Sequence, residues 1–403
     1  MTNSVHQPAP PPLRGRATRI AYAVHGYGRG HATRSLAVLS ELKKQHQVLV
    51  LAGGDAHAAL APELPVVRIP TLGFAYGQGT GARSNLATLR YNAAAVLDLW
   101  CRGPVFEMVA GMMRDFAPDV VISDAETFSH QVARALRIPR ISFDHMGILA
   151  FCKPSIDPAD RLEASLDAFV YRTLMGTADR ILVSSFYPAP ARSDAVRVVP
   201  TLPRAEVRRA TPSDGEHLLV YLNQGQHQFD ERLRKLLEGT GLPVHVYGTP
   251  QRGVIGRLSF MAPSNQPFID DLAACRAVIS TAGNQLVGEA MQLGKPVLVM
   301  PEHCVEQRLN ARAVVELGIG MCVASRALTA EHLQRFLRRR DEFAARMLAQ
   351  RRDGLAESLA AITQYIEELT LGGVATGHPA AAGARARAGQ PSRASAPARA
   401  ALP

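Results

Sequence analysis

The 403-residue sequence contains no Cys-x-x-Cys pair, and its five cysteines are scattered and odd in number. That pattern excludes a zinc ribbon and a secreted disulfide framework, and it suits a reducing cytosol. No run of 18 apolar residues occurs, so no segment reads as a bilayer span. Prolines at positions 8 and 10–12 interrupt the apolar core that a signal peptide needs, so export is not expected and a cytoplasmic location is. There is no internal repeat of 20–50 residues. No Asp-x-Asp pair stands at a strand end, so no metal site on a phosphate is expected.

Positive charge is plentiful, with a net +10. Seven of those charges sit in acid-free ends: Arg14, Arg16 and Arg19 in residues 1–19, and Arg385, Arg387, Arg393 and Arg399 in residues 371–403. The middle keeps only +3. Such a distribution is not that of a nucleic-acid groove, and it suits tails making peripheral contact with an anionic membrane. Residues 1–18, rich in proline, and 370–403, rich in Ala, Gly, Arg and Pro, cannot bury enough apolar area to fold and are expected to be disordered.

Hydrophobic residues at 47% and charged residues at 20% are globular values, and the length predicts two domains. From Arg19 onward, short β-branched runs alternate with helical patterns. The runs are IAYAV (20–24), QVLVLA (47–52), PVVRI (65–69), DVVIS (119–123), RISF (140–143) and RILVS (180–184). Near-continuous hydrophobicity is what parallel strands covered on both faces require. After the turn-rich stretch 201–215 the series restarts with HLLVYL (217–222), PVHVYG (243–248), RLSFM (257–261), AVIS (277–280) and PVLVM (296–300). The expected architecture is therefore α/β: a first doubly wound unit over 19–200, a linker, a second over 216–345 and a C-terminal helix over 346–369. A ligand would bind between the units, at the carboxyl ends of the strands.

Two loops carry the chemistry. The first strand runs into Gly26-Tyr27-Gly28-Arg29-Gly30-His31-Ala32-Thr33-Arg34 and a helix. Glycines at such a turn admit a bound group to the backbone, and the helix amino end favours an anion. His31, at that positive end, tends toward the neutral imidazole, able to accept a proton. Asp124, at the end of DVVIS on the same rim, is the candidate to orient it. The second loop is Ser280-Thr281-Ala282-Gly283-Asn284-Gln285, followed by a helix over 284–293 carrying Glu289, a Gly-Lys-Pro stop, a strand, and a polar stretch with Glu306, Gln307 and Asn310. The helix amino end suits a diphosphate, and Glu289 suits a ribose diol.

On these segments, strongest at 20–36, 118–145 and 277–320, the chain resembles the inverting nucleotide-sugar glycosyltransferases of the GT-B fold. It is most similar to glycosyltransferase family 28, which includes the peptidoglycan N-acetylglucosaminyltransferase, and to prokaryotic glycosyltransferase-like proteins with a Gly-x-Gly-x-Gly-His-x-x-Arg loop. The resemblance implies two Rossmann-like domains facing a central cleft. It also implies a UDP-sugar or other nucleotide-sugar donor as cosubstrate, no further cofactor, and a small-molecule or lipid-linked acceptor. It assigns His31 as base and Asp124 as its partner. Gly283, Asn284, Gln285 and Glu289 are assigned to the donor, with Glu306 and Gln307 on the sugar hydroxyls. The loop Asn223-Gln224-Gly225-Gln226 is the donor loop, and Gly26, Gly28, Gly30 and Arg34 form an acceptor or phosphate loop. Leu286 stands where relatives usually carry Thr or Ser. An epimerase of the same fold, a non-catalytic nucleotide-sugar binder and a nicotinamide-dependent oxidoreductase are the competing readings.

Overall fold

The structure, a computed structural model, describes residues 17–27, 29–73, 85–223, 225–352 and 354–371. Gly28, Gln224 and nearly all of the two expected tails lie outside the described residues.

The first unit is a seven-stranded parallel sheet of β1 (Arg19–Val24), β2 (Gln47–Ala52), β3 (Val67–Arg68), β4 (Val120–Asp124), β5 (Arg140–Asp144), β6 (Arg180–Ser184) and β7 (Val196–Val199), in the order β3-β2-β1-β4-β5-β6-β7. The second sheet holds β8 (Leu218–Tyr221), β9 (Val244–Tyr247), β10 (Gly253–Ile255), β11 (Leu258–Phe260), β12 (Ala277–Ser280), β13 (Val297–Val299) and β14 (Gly320–Cys322), in the order β10-β11-β9-β8-β12-β13-β14. Only β10 runs antiparallel to its neighbour. The central strands β1, β4, β8 and β12 are almost wholly buried, because helices cover both faces. That is why they read as unbroken apolar runs.

The linker is not irregular throughout, since Ala205–Arg209 is a short helix. The helical pattern at the carboxyl end divides into Ala330–Arg338, Arg340–Ala349 and Gly354–Leu371. The last of these crosses back to the first unit. Ile362, Tyr365 and Ile366 enter the first core beside Ile20, Val120 and Leu182, and Glu368 accepts a hydrogen bond from Arg180 at 2.8 Å. The crossing ties the two units together by a second chain segment. Ile362 is fully buried, so Ile362→Ala should cost about 2–5 kcal/mol of stability; an unaltered urea midpoint would show that this helix is not anchored there.

Candidate active site

Strand order reverses direction between β1 and β4 in the first sheet and between β8 and β12 in the second. Loops leaving the two strands at such a point diverge and open a crevice at the carboxyl ends. The glycine loop leaves β1, and Asp124 is the last residue of β4, paired in register with Val24. His25 N–H donates to the Asp124 carbonyl at 2.9 Å, fixing the loop to the strand end. The helix Arg29–Leu42 then starts, with His31 in its first turn.

His31 and Asp124 therefore meet although 93 residues separate them: Nδ1 of His31 lies 2.6 Å from Oδ1 of Asp124. The carboxylate is fully buried, whereas the His31 side chain keeps 16% of its surface. Arg34 donates from Nη2 to Oδ1 at 2.5 Å and from Nε to Oδ2 at 2.9 Å, and Ser35 Oγ donates to Oδ2 at 3.0 Å. Burial alone would raise the Asp124 pKa, but Arg34 and His31 outweigh it and hold the carboxyl at about 2. A carboxylate accepts only, so Nδ1 of His31 carries a proton, and in the neutral ring the lone pair then stands on Nε2. Arg34 Nη2 also lies 3.1 Å from Nδ1, but as two donors they cannot bond each other. Among the described residues Nε2 has no hydrogen-bond partner. The arrangement can accept a proton at Nε2 and stabilise the resulting imidazolium.

Three participants carried little or no sequence signal. His25 stacks edge-on against His31, with ring centroids 5.1 Å apart, and its Nε2 is buried without a hydrogen-bond partner. Burial, and then the charge of His31, push its pKa down to about 3, so it is a neutral wall beside the base. Arg34, expected in an anion loop, is 3% exposed and turned inward onto Asp124. Ser35 follows it. Arg34 was visible as the arginine of the glycine loop, though not in this role, and for Ser35 the spacing of one helical turn beyond His31 is the only sequence hint.

The other loop glycines have separate reasons. A Cβ on Gly26 would lie 2.6 Å from the Gly53 carbonyl carbon, so this residue lets the loop after β1 press against the loop after β2. Gly30 faces the second unit, where Gln285 Cβ is its nearest neighbour at 3.8 Å.

In the second unit, the two loops at the β8/β12 switch point are the ones singled out by sequence. Gly225 is buried, close against the Gly248 carbonyl, and Gln226 is exposed. Gly283 caps the helix Asn284–Leu293, which stops at Gly294 in a left-handed conformation of φ 66°. The amino end of this helix meets the first unit. Asn284 accepts from Phe186 N–H at 3.2 Å and donates to Ser184 O at 3.1 Å.

Gln285 donates to Leu202 O at 2.7 Å and to Glu289 at 3.1 Å. Glu289 is 1% exposed, and its two oxygens take a forked pair from Arg204 Nε at 2.9 Å and Nη2 at 2.7 Å. The linker thus lies on the face of the helix expected to meet ribose. Arg204→Ala would leave that carboxylate buried and unpaired, and should lower stability by about 3 kcal/mol in urea unfolding; an unchanged midpoint would mean the pair carries no weight.

Glu306, with a side chain 38% exposed, lies 3.7 Å from His145 Nε2 of the first unit. Gln307 is turned inward, its Oε1 accepting from Glu302 N–H at 2.9 Å and Ala282 N–H at 3.3 Å, which joins the loops after β12 and β13. His145 is buried between Ser184 O and Asn310 Oδ1. Burial lowers its pKa against the pull of Glu306.

Comparison with known proteins agrees with this geometry. Residues 18–340 match the family described as glycosyl transferase family 1. The chain belongs to that family. This family 1 glycosyltransferase is similar in structure to CalG4, the calicheamicin glycosyltransferase, at 18% identity and a TM-score of 0.60, over 87% of this chain and 99% of that one. It is similar also to UGT2 of Phytolacca americana, solved with UDP-2fluoro-glucose and pterostilbene, at 17% and 0.61 over 87% and 100%. MurG of Acinetobacter baumannii matches at 17% and 0.56 over 86% and 99%. At such identities the likeness is one of fold, and the fold is GT-B.

Two surface features of this glycosyltransferase are separate from the site. A cavity of about 460 Å³ is lined by Trp100, Arg102, Arg134 and Arg137. It adjoins the end of the helix Thr127–Ala135, at the sheet edge opposite His31, and has no proton acceptor comparable to that ring. No helix of the described residues is long and apolar enough to cross a membrane.

Proposed function

We propose that this glycosyltransferase is an inverting enzyme that transfers a hexose from a UDP-sugar, or a related nucleotide sugar, to an acceptor hydroxyl. The observation that carries the reading is the His31–Asp124 pair at the β1/β4 switch point, with Nε2 unpartnered among the described residues. The acceptor O–H gives its proton to Nε2 while its oxygen forms a bond to the anomeric carbon. On the opposite face, the bond from that carbon to the diphosphate oxygen breaks, and the oxygen leaves with the electron pair. One displacement inverts the anomeric centre. Asp124 holds the tautomer and accompanies the imidazolium; with Arg34 already neutralising most of its charge, its contribution is mainly orientation.

The leaving diphosphate is met by the amino end of the helix Asn284–Leu293 and neighbouring amides. The absence of an Asp-x-Asp pair from the sequence supports charge stabilisation without a metal. Glu289 takes the ribose hydroxyls after exchanging Arg204 for them, so donor binding is coupled to movement of the linker. Glu306 and Gln307 lie toward the sugar, the acceptor hydroxyl is carried by a small molecule or a lipid, and the basic ends serve an anionic leaflet in the lipid case. Kinship with family 28 rests on the 280–310 motif.

The test is a thermal-shift screen of UDP-, dTDP- and GDP-sugars. At about 100 times its dissociation constant, a true donor stabilises by about 2.7 kcal/mol. A shift from one nucleotide class supports the proposal. No shift from any of them rejects it. Isomerised sugar formed without acceptor would instead favour an epimerase.

A further inference from the structure

Sheet register brings together three side chains that the transfer reaction does not use. His217 immediately precedes β8, and His245 lies in β9 opposite Leu219. Because side chains alternate along a strand, His217, Leu219 and His245 project from one face of the sheet. The helix Gln266–Ala274 covers that face and contributes Asp271, and Phe268 of the same helix packs edge-on against Tyr247 of β9 at 5.0 Å. The group sits at the amino-terminal edge of the second sheet, away from the carboxyl-end cleft. It shares no residue with the site above.

We propose that His217, His245 and Asp271 form a binding site for a late first-row divalent cation, of which zinc is the representative. One ligand atom from each residue lies within 4.8 Å of the other two. His217 Nε2 is 3.9 Å from Oδ1 of Asp271, and His245 Nδ1 is 2.9 Å from Oδ2. The second distance is short, yet Nδ1 of His245 is buried and forms no hydrogen bond with acceptable geometry. The two rings stack with centroids 4.2 Å apart and planes 21° apart, so the three ligand atoms are gathered at one place and a bound ion would turn the rings about their side-chain torsions to meet it.

The donor set decides the metal. Two imidazoles and one carboxylate suit zinc, nickel, cobalt or copper, whereas magnesium and calcium favour oxygen ligands alone. Three protein ligands leave a fourth tetrahedral position for water. The charge also fits: a carboxylate with two imidazoles bound through their neutral form would present a single negative charge to a dication. Each ring would ligate through its unprotonated nitrogen and Asp271 as the carboxylate. Tyr247 O–H donates to Oδ2 of Asp271 at 2.6 Å, the outer-shell contact that orients a ligating carboxylate. His217 Nε2 now donates to Asp271 O at 3.1 Å, and ligation would move that proton to Nδ1 by tautomer exchange. A bound ion would pin the helix Gln266–Ala274 to β8 and β9, so it would act on stability.

The experiment uses the full chain without an affinity tag, freed of metal by chelation and titrated with zinc by calorimetry, and with cobalt by visible absorption. The proposal expects stoichiometric zinc binding, a rise in melting temperature, and the intense d–d bands of tetrahedral cobalt. Magnesium and calcium should give no heat. His217→Ala and His245→Ala should abolish the stoichiometric site, and Tyr247→Phe, which keeps every ligand and the ring packing, should weaken zinc by about tenfold or more. The absence of binding to the wild type overturns the proposal. Binding that persists undiminished in His217→Ala and His245→Ala overturns it too, by placing the metal on other histidines. Should the alanine variants fail to fold, the cobalt spectrum of the wild type and the Tyr247→Phe affinity still decide.

Discussion

His31→Ala should lower turnover by about 10² to 10⁴, the range that a positioned general base contributes, while nucleotide affinity stays close to that of the wild type. The separation follows from the geometry. His31 belongs to the first unit and its side chain keeps 16% of its surface, whereas the positions proposed for the donor stand mainly on the second. Steady-state kinetics with saturating donor, together with direct nucleotide titration, check both halves. Unchanged turnover would remove His31 from the chemistry, and a parallel loss of nucleotide affinity would place it on the donor instead. No fold defect should obscure the result, because the side chain is partly exposed and Asp124 keeps Arg34 and Ser35 as partners.

Asp124→Asn should act on stability as well as rate, and the stability change is the more informative. The substitution keeps the shape but leaves the Arg34 guanidinium, on a side chain 4% exposed, without the carboxylate it is hydrogen-bonded to. Breaking one partner of a buried pair typically costs about 3–5 kcal/mol. Combining it with Arg34→Met removes both charges and should recover a large part of that loss in urea unfolding, but none of the turnover. A double variant no more stable than Asp124→Asn alone would contradict the pairing.

The same pair dictates the acid limb. The Asp124 carboxyl is depressed to about 2 in the folded chain, below the value of about 3.9 for a free aspartate. Its contribution is therefore complete above pH of about 4 and is lost as pH falls from there toward 2. In Asp124→Asn that part of the acid-induced loss should disappear; an identical acid profile would mean the carboxylate is not paired as described.

How far each feature could be read from the chain depends on where its cause lies. The central strands were legible because burial on both faces is written locally, as in AVIS, whose expected and observed limits coincide. Of the edge strands, only β3 fell within an expected run, PVVRI (65–69). β10 is exposed at all three residues, and β7 and β14 are only partly buried, so their pairing follows from a neighbour already in place. The helix Asn284–Leu293 was bounded correctly by its capping glycine and its Gly-Lys-Pro stop, both local signals. In contrast, the destination of Gly354–Leu371 depends on an apolar groove built by strands more than 150 residues earlier, and no local pattern encodes it.

At the site, residue types and the rim on which they stand were determined by the amino-acid sequence alone: a histidine opening a helix after one strand, an aspartate ending another, a glycine-capped helix in the second half. Tertiary structure decided which atoms face each other. Sheet order made β1 and β4 neighbours, so that His31, Arg34 and Ser35 converge on one buried carboxylate. The path of the linker brought Arg204 onto Glu289, 85 positions away in the chain. The physical reason is range: backbone preference and periodicity act over a few residues, whereas desolvated charges take whichever partner the packing of distant segments delivers.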